Sequence, residues 1–185
     1  MSLRRGFKAE AEREALRIRN ELGLGPFDRL DPLALAEHLA IPVWPLSRIA
    51  DVSGDPEVRD AVNVLRTTEQ GAVSAMTIIR GTRRGIVYND AHDDGRTANS
   101  IVHECAHGCL LHPPAPALDN HGCRIWNADH EDEATFLAGA LLIPSQAAWA
   151  LAKRKTKLAA AAAQYGCSAD LVRMRINLTG AGKRF

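Results

Sequence analysis

Hydrophobic residues recur at helical spacing over most of the chain. A first stretch, residues 7–22, places Ala11, Ala15 and Ile18 on one face and is followed by Gly23 as a stop signal. Further helices are predicted from the same spacing and from bounding prolines and caps, in chain order at 31–41, 55–68, 96–112, 129–143, 158–165 and 169–178, with another that begins at Ser145. The chain is therefore predicted to be mainly helical.

One region has the composition of strands instead. From residue 72 to 88, β-branched residues predominate on both sides of a turn that contains Gly81, which predicts two strands paired as an antiparallel hairpin. Residues 43–46 are predicted to add a short edge strand, because Pro45 lacks the N–H that a central strand would need. The predicted fold class is α+β, mainly helical with a small antiparallel sheet.

The last two helices form a separate feature. Residues 158–165 and 169–178, joined by a tight turn, are predicted to form a helical hairpin that resembles a helix-turn-helix. We therefore expect a main domain over residues 1–150 and a C-terminal helical extension over residues 151–185 that packs on it.

The composition is that of an ordinary globular protein and argues against several functions. A net charge of +1 gives no global basic field, so non-specific binding of nucleic acid is not implied. The basic residues at the N-terminus are followed by a charged segment rather than an apolar signal-peptide core, and no apolar run approaches the roughly 18 residues of a membrane span. The four cysteines form no CxxC pair. Together these features predict a cytoplasmic protein with reduced thiols.

The strongest chemical signal is an HExxH motif, His103-Glu104-Cys105-Ala106-His107. On a helix, His103 and His107 lie one turn apart on the same face, so both can present an imidazole nitrogen to one cation. Glu104 is about 100° round the helix and borders the same opening. The opposite face is apolar and is predicted to pack inward. These groups fit a zinc site in which Glu104 takes a proton from water.

A catalytic zinc ion normally has three protein ligands, so one must come from outside the motif. On a continuing helix His112 would lie about 140° from His107, so it cannot join the same ion unless the helix ends first. The acidic start of the next helix offers Glu131 and Glu133. Residues two apart point to nearly opposite sides of a helix, so we expect one to be a ligand and the other to be solvated. Composition does not choose between them.

The order of these motifs resembles that of the ImmA/IrrE family of metallopeptidases. The resemblance spans most of residues 8–180 and is carried by Asn89, Arg96, the HExxH motif with His112, and residues 131–135 ahead of Leu141-Leu142-Ile143-Pro144. Thr135 and Ile143 depart from the usual Asn and Met of the family. The resemblance implies a zincin-like fold in which zinc is held by His103, His107 and Glu131.

The resemblance also implies an activity and a substrate. The chain would be a zinc metallo-endopeptidase with Glu104 as the general base. Its substrate would be a helix-turn-helix (XRE-like) repressor, cut to release a stress, phage or mobile-element operon. Some family members carry a fused DNA-binding domain at the N-terminus; none is visible here, so the repressor is expected to be a separate protein. Candidate donors to the oxyanion, among which the sequence does not choose, are Tyr88, Tyr165, His121 and His130.

The alternative is a non-proteolytic regulatory module that binds a repressor or DNA. In the helix-turn-helix-like hairpin, Arg173 and Arg175 would reach a DNA groove, and the basic residues 153–155 precede the first helix. A hairpin that packs on the catalytic domain with its charges in solvent explains the same pattern without DNA. DNA binding is therefore not the expected function.

Overall fold

Residues 3–69, 71–113 and 127–184 are described by the computed structural model of the chain. The helices in these ranges are α1 Phe7–Glu21, α2 Pro32–His38, α3 Leu46–Val52, α4 Pro56–Thr67, α5 Asp94–Cys109, α6 Ala128–Leu142, α7 Ser145–Lys153, α8 Leu158–Tyr165, α9 Ala169–Leu178 and α10 Ala181–Arg184. The strands are β1 Val43–Pro45, β2 Ala75–Arg80 and β3 Arg83–Tyr88. The predicted α+β class, mainly helical with a small sheet, is confirmed.

The sheet has the strand order β1-β3-β2. β2 and β3 form the predicted antiparallel hairpin, with Thr77 opposite Ile86. β1 is an edge strand, as predicted, but it runs parallel to β3, with Val43 opposite Ile86. The sheet is therefore mixed rather than purely antiparallel. A parallel pair requires a long crossover, and α3 and α4 lie in the chain between β1 and the hairpin.

The core lies where α5 and α6 pack against each other, with α1 and α2 alongside. On α5 the apolar face predicted from the motif is buried, with Val102, Cys105 and Ala106 wholly inaccessible to solvent. α6 is buried continuously from Phe136 to Leu142. Burial of one such leucine side chain contributes about 1.5–3 kcal/mol. This packing holds the two helices of the motif region in a single relative position.

The environment of Arg175 bears on the alternative in which the C-terminal hairpin binds DNA. α9 packs on α6 and α7, and the guanidinium of Arg175 is fully buried. It donates a 2.8 Å hydrogen bond from Nε to the Ile143 carbonyl and forms an ion pair with Glu12 of α1. This burial does not fit the alternative in which Arg175 reaches a DNA groove, and the expectation that the charges of the packed hairpin lie in solvent is wrong for Arg175. Arg173 is exposed and pairs with Asp170 one turn before it.

The boundary between residues 1–150 and 151–185 stays a prediction. α7 runs across it, and the main hydrophobic cluster contains residues from both sides, among them Leu141, Ala161 and Val172. The hairpin turn forms at Gly166, whose φ of 63° lies in the left-handed region that glycine adopts without strain.

Two short helices were not predicted. α3 begins at Leu46, directly after Pro45, where the sequence suggested only a strand, and α10 has four residues. Within the described part of the chain, no single helix is long and apolar enough to cross a bilayer; α6 and α7 meet that criterion only as a pair bent by 64°.

Candidate active site

His103 and His107 project from one face of α5 and converge on a carboxylate from α6. Their Nε2 atoms are 3.1 Å apart. Glu131 Oε2 lies 3.1 Å from His103 Nε2, and Glu131 Oε1 lies 3.6 Å from His107 Nε2. The structure thus brings together the three predicted ligands. One donor atom from each residue lies within 4.8 Å of the donor atoms of the other two.

Glu131 reaches this point because α6 begins just before it. Asn127 caps the helix, its side-chain oxygen accepting hydrogen bonds from the backbone N–H groups of Asp129 and His130. Glu131 therefore falls in the first turn, while the buried residues that follow Ala134 pack α6 against α5. An anionic side chain at a helix N-terminus is also stabilised by the helix dipole.

The three donors fit a small tetrahedral cation. In a tetrahedral zinc site with Zn–N distances of about 2.0–2.1 Å, neighbouring ligand atoms are separated by about 3.3 Å. The 3.1 Å between the two Nε2 atoms, and the 3.1 and 3.6 Å from these atoms to the nearer oxygen of the Glu131 carboxylate, Oε2 for His103 and Oε1 for His107, are close to that value. Burial, with the nearby His103, lowers the pKa of His107 to about 4, which keeps the ring neutral as a metal ligand must be.

Glu104 follows His103 on α5, and its carboxylate is hydrogen-bonded to a residue of the sheet. Thr77 of β2 donates a hydrogen bond from Oγ1 to Glu104 Oε2 at 2.6 Å. Strand β2 lies at one edge of the three-stranded sheet. The carboxylate is therefore tied to a strand edge rather than to the three donors on α5 and α6.

A comparison with protein families finds a match over the region that contains this arrangement. The model of the IrrE N-terminal-like domain, Peptidase_M78, matches residues 60–177, more than half of the chain. The chain belongs to the IrrE N-terminal-like family. The match includes β2, β3, α5 and α6, so the HExxH helix and the carboxylate helix both lie within the IrrE-like domain. Membership supports a metallopeptidase-like role. No curated protein and no solved structure matches the chain.

His112 and Glu133 have positions in the IrrE-like domain that the sequence did not predict. α5 ends at Cys109, and Leu111 has a φ of 53°, which returns His112 toward the helix. His112 Nδ1 then lies 2.9 Å from His107 Nδ1, and its Nε2 lies 3.3 Å from Glu133 Oε2. The expectation that the second glutamate would be solvated is wrong, since the Glu133 side chain is only 15% exposed.

The groups around His112 act on its pKa in opposite directions. Burial lowers the pKa of His112, and the Glu133 carboxylate opposes that shift. The other carboxylate oxygen of Glu133 accepts a 3.0 Å hydrogen bond from Arg4 Nε, which precedes α1. The ring of His130 stacks on His112, with centroids 4.3 Å apart. On the Nδ1 side of His107, the IrrE-like site therefore has a layer of polar side chains, formed by His112, Glu133, Arg4 and His130.

The candidate oxyanion donors are in different settings. Tyr165 is 1% exposed within the hydrophobic core, where it cannot meet a substrate. The ring of His130 stacks on that of His112. Tyr88 is a separate case, in which burial raises the pKa of the hydroxyl. His121 lies outside the described residues. Thr77 was missed from the sequence, because nothing in a hairpin pattern signals which strand residue will face a helix.

Proposed function

We propose that this chain is a cytoplasmic zinc-dependent endopeptidase with His103, His107 and Glu131 as the metal ligands. The observation that carries the proposal is the convergence of two Nε2 atoms and one carboxylate within 3.1 to 3.6 Å, beside a second carboxylate that is not one of the three donors. Two imidazoles and a glutamate are the ligand set of thermolysin-type zinc sites.

In this proposal Glu104 is the general base. When zinc is bound, it supplies Lewis-acid polarisation of the scissile carbonyl and makes water acidic enough to react near neutral pH. Glu104 accepts the proton of the attacking water and passes it to the leaving amine. Thr77 donates a hydrogen bond to Oε2 of Glu104, and Oε1 is the oxygen that we propose takes the proton.

The substrate would bind as an extended polypeptide along β2. Within the described residues β2 pairs only with β3, so its outer edge offers backbone N–H and C=O groups to another strand. Thr77 lies on this strand and contacts Glu104. A peptide paired with β2 would therefore pass close to the general base.

We further propose a helix-turn-helix (XRE-like) repressor as the substrate, whose cleavage would release a stress, phage or mobile-element operon. Support comes from membership of the IrrE N-terminal-like family. The repressor would be a separate protein partner. A direct role of the C-terminal hairpin in DNA recognition receives no support from Arg175, which is buried against Glu12 and Ile143.

The test is incubation of the purified chain with the helix-turn-helix repressor encoded nearest to its gene, with zinc or with a chelator. Intact mass spectrometry should detect two repressor fragments whose masses sum to the repressor plus one water, only in the zinc sample. A repressor that stays intact with the zinc-loaded protein under all conditions would rule out this substrate. Cleavage that persists in excess chelator would rule out a metallopeptidase.

A further inference from the structure

We infer that His112 is a positioning residue for the metal ligand His107 and that Glu133 sets the tautomer of His112. The inference rests on the proposed metal site. Its basis is a chain of three contacts, from His107 Nδ1 to His112 Nδ1 at 2.9 Å, from His112 Nε2 to Glu133 Oε2 at 3.3 Å, and from Arg4 Nε to Glu133 Oε1 at 3.0 Å.

Only one arrangement of protons satisfies this chain when His107 is a ligand through Nε2. A nitrogen bound to a metal carries no proton, so Nδ1 of His107 must carry the N–H. His112 Nδ1 then has to accept that proton in a hydrogen bond, since two N–H groups cannot face each other at 2.9 Å. The remaining proton of the neutral His112 ring is on Nε2, where it is donated to the Glu133 carboxylate.

The position of His112 is held independently of the metal. The backbone N–H of His112 donates to the His107 carbonyl at 3.1 Å, and the side chain of Arg84 on β3 donates to the His112 carbonyl at 2.9 Å. The side chain of His112 is 7% exposed and is covered by the ring of His130. A ring fixed on so many sides restricts the rotation of the His107 imidazole.

A carboxylate that accepts the second N–H of a metal-bound histidine fixes the orientation of that ring and raises its basicity as a ligand. Loss of such a partner typically lowers metal affinity about 10- to 100-fold. Glu133 differs from the usual arrangement by acting through a second imidazole. Glu131 and Glu133 therefore have separate tasks on one helix, the first toward the metal and the second toward the ring behind His107.

The first test observes the tautomers directly. Long-range ¹H–¹⁵N spectra of the zinc-loaded wild-type chain should assign His107 as the Nδ1–H tautomer and His112 as the Nε2–H tautomer. A His112 ring found as the Nδ1–H tautomer, or as the doubly protonated cation, would overturn the inference without any variant being made.

The second test measures zinc affinity by competition with a chromogenic chelator. His112→Phe keeps a flat ring but has no acceptor and should weaken zinc binding by about 10- to 100-fold. His112→Asn keeps an acceptor near the position of Nδ1 and should recover a large part of that loss. Arg4→Gln should weaken binding by less than about fivefold, because the arginine is half exposed. His38→Phe, which removes an exposed His–Glu pair elsewhere, should have no effect.

The outcomes separate this inference from the proposed function. Equal affinity of wild type and His112→Phe, while His107→Ala loses zinc, would overturn the inference alone. Equal losses in His112→Phe and His112→Asn would also overturn it, since the acceptor would then be irrelevant. Failure of the wild type to bind zinc would overturn the proposed metal site and the inference together.

Discussion

Thr77 of β2 donates a 2.6 Å hydrogen bond to the carboxylate of Glu104 on α5, across 27 residues of sequence. The contact joins the edge of the sheet to the HExxH helix. It fixes the position of one carboxylate oxygen of Glu104, and the direction of the second oxygen is fixed with it. A threonine hydroxyl on a strand therefore positions the proposed general base.

Replacement of Thr77 tests this contact. Thr77→Val keeps the shape and the β-branched backbone preference of the strand but removes the hydroxyl. A lost hydrogen bond to a charged group costs about 1.5–3 kcal/mol, so kcat should fall about tenfold or more with little change in KM. Thr77→Ser should restore most of kcat, whereas equal rates for the valine variant and the wild type would remove Thr77 from the mechanism.

Zinc should stabilise the folded chain by mass action. At a free zinc concentration roughly 100-fold above Kd, the free energy of unfolding should rise by about 2.7 kcal/mol, measured by urea denaturation with and without zinc. Glu131→Gln should abolish this increment. Glu133→Gln should keep more of it than Glu131→Gln, because Glu133 contacts His112 rather than the three donors and the amide oxygen of Gln can still accept the N–H of His112. The reverse order would make Glu133 the ligand.

Arg175 should be required for stability rather than for binding nucleic acid. Its guanidinium is fully buried and pairs with Glu12 and the Ile143 carbonyl. Removal of one partner of a buried ion pair costs about 3–5 kcal/mol. Arg175→Met should therefore lower the free energy of unfolding by about 3 kcal/mol, and the double variant with Glu12→Gln should recover part of this loss. Arg173→Gln, on the exposed face, is the control and should change stability little.

The thiol of Cys167 should be unreactive in the folded chain. Burial raises the pKa of Cys167 to about 11, against about 8.5 when unfolded, so about 0.1% is thiolate at pH 8. Because the folded pKa is raised, the stability linked to this thiol is present below pH 8.5 and is lost as the pH rises through 11. In a background that carries Cys109→Ser and Cys123→Ser, where the remaining thiols of Cys105 and Cys167 are buried, Ellman's reagent at pH 8 should label no thiol until urea unfolds the chain. Rapid labelling without urea would contradict this.

The helices of the site could be predicted because their signals are local. The spacing of His103 and His107 and the apolar face opposite them fix which side of α5 is buried, and the structure places both as expected. The edge strand at Pro45 and the hairpin around Gly81 follow from single residues that restrict the backbone. These features require no knowledge of how the elements pack.

Other features depend on contacts between distant segments. The register of α6 on α5 brings Glu131, rather than Glu133, next to His103 and His107, and no spacing within α6 reveals this register. His112 meets His107 because Leu111 adopts a positive φ, a conformation that a leucine does not signal. Arg175 looked like a solvated charge because its partners, Glu12 and Ile143, come from elsewhere in the chain.

The measurement that tests the account most directly combines zinc content with repressor cleavage in the wild type, Glu104→Gln and Glu131→Gln. Mass spectrometry of the native protein should find one zinc ion in the wild type and in Glu104→Gln, but none at the same free zinc in Glu131→Gln. Intact mass of the repressor should show cleavage by the wild type alone. Full cleavage by zinc-loaded Glu104→Gln, or an undiminished zinc content in Glu131→Gln, would contradict the roles given to these two carboxylates.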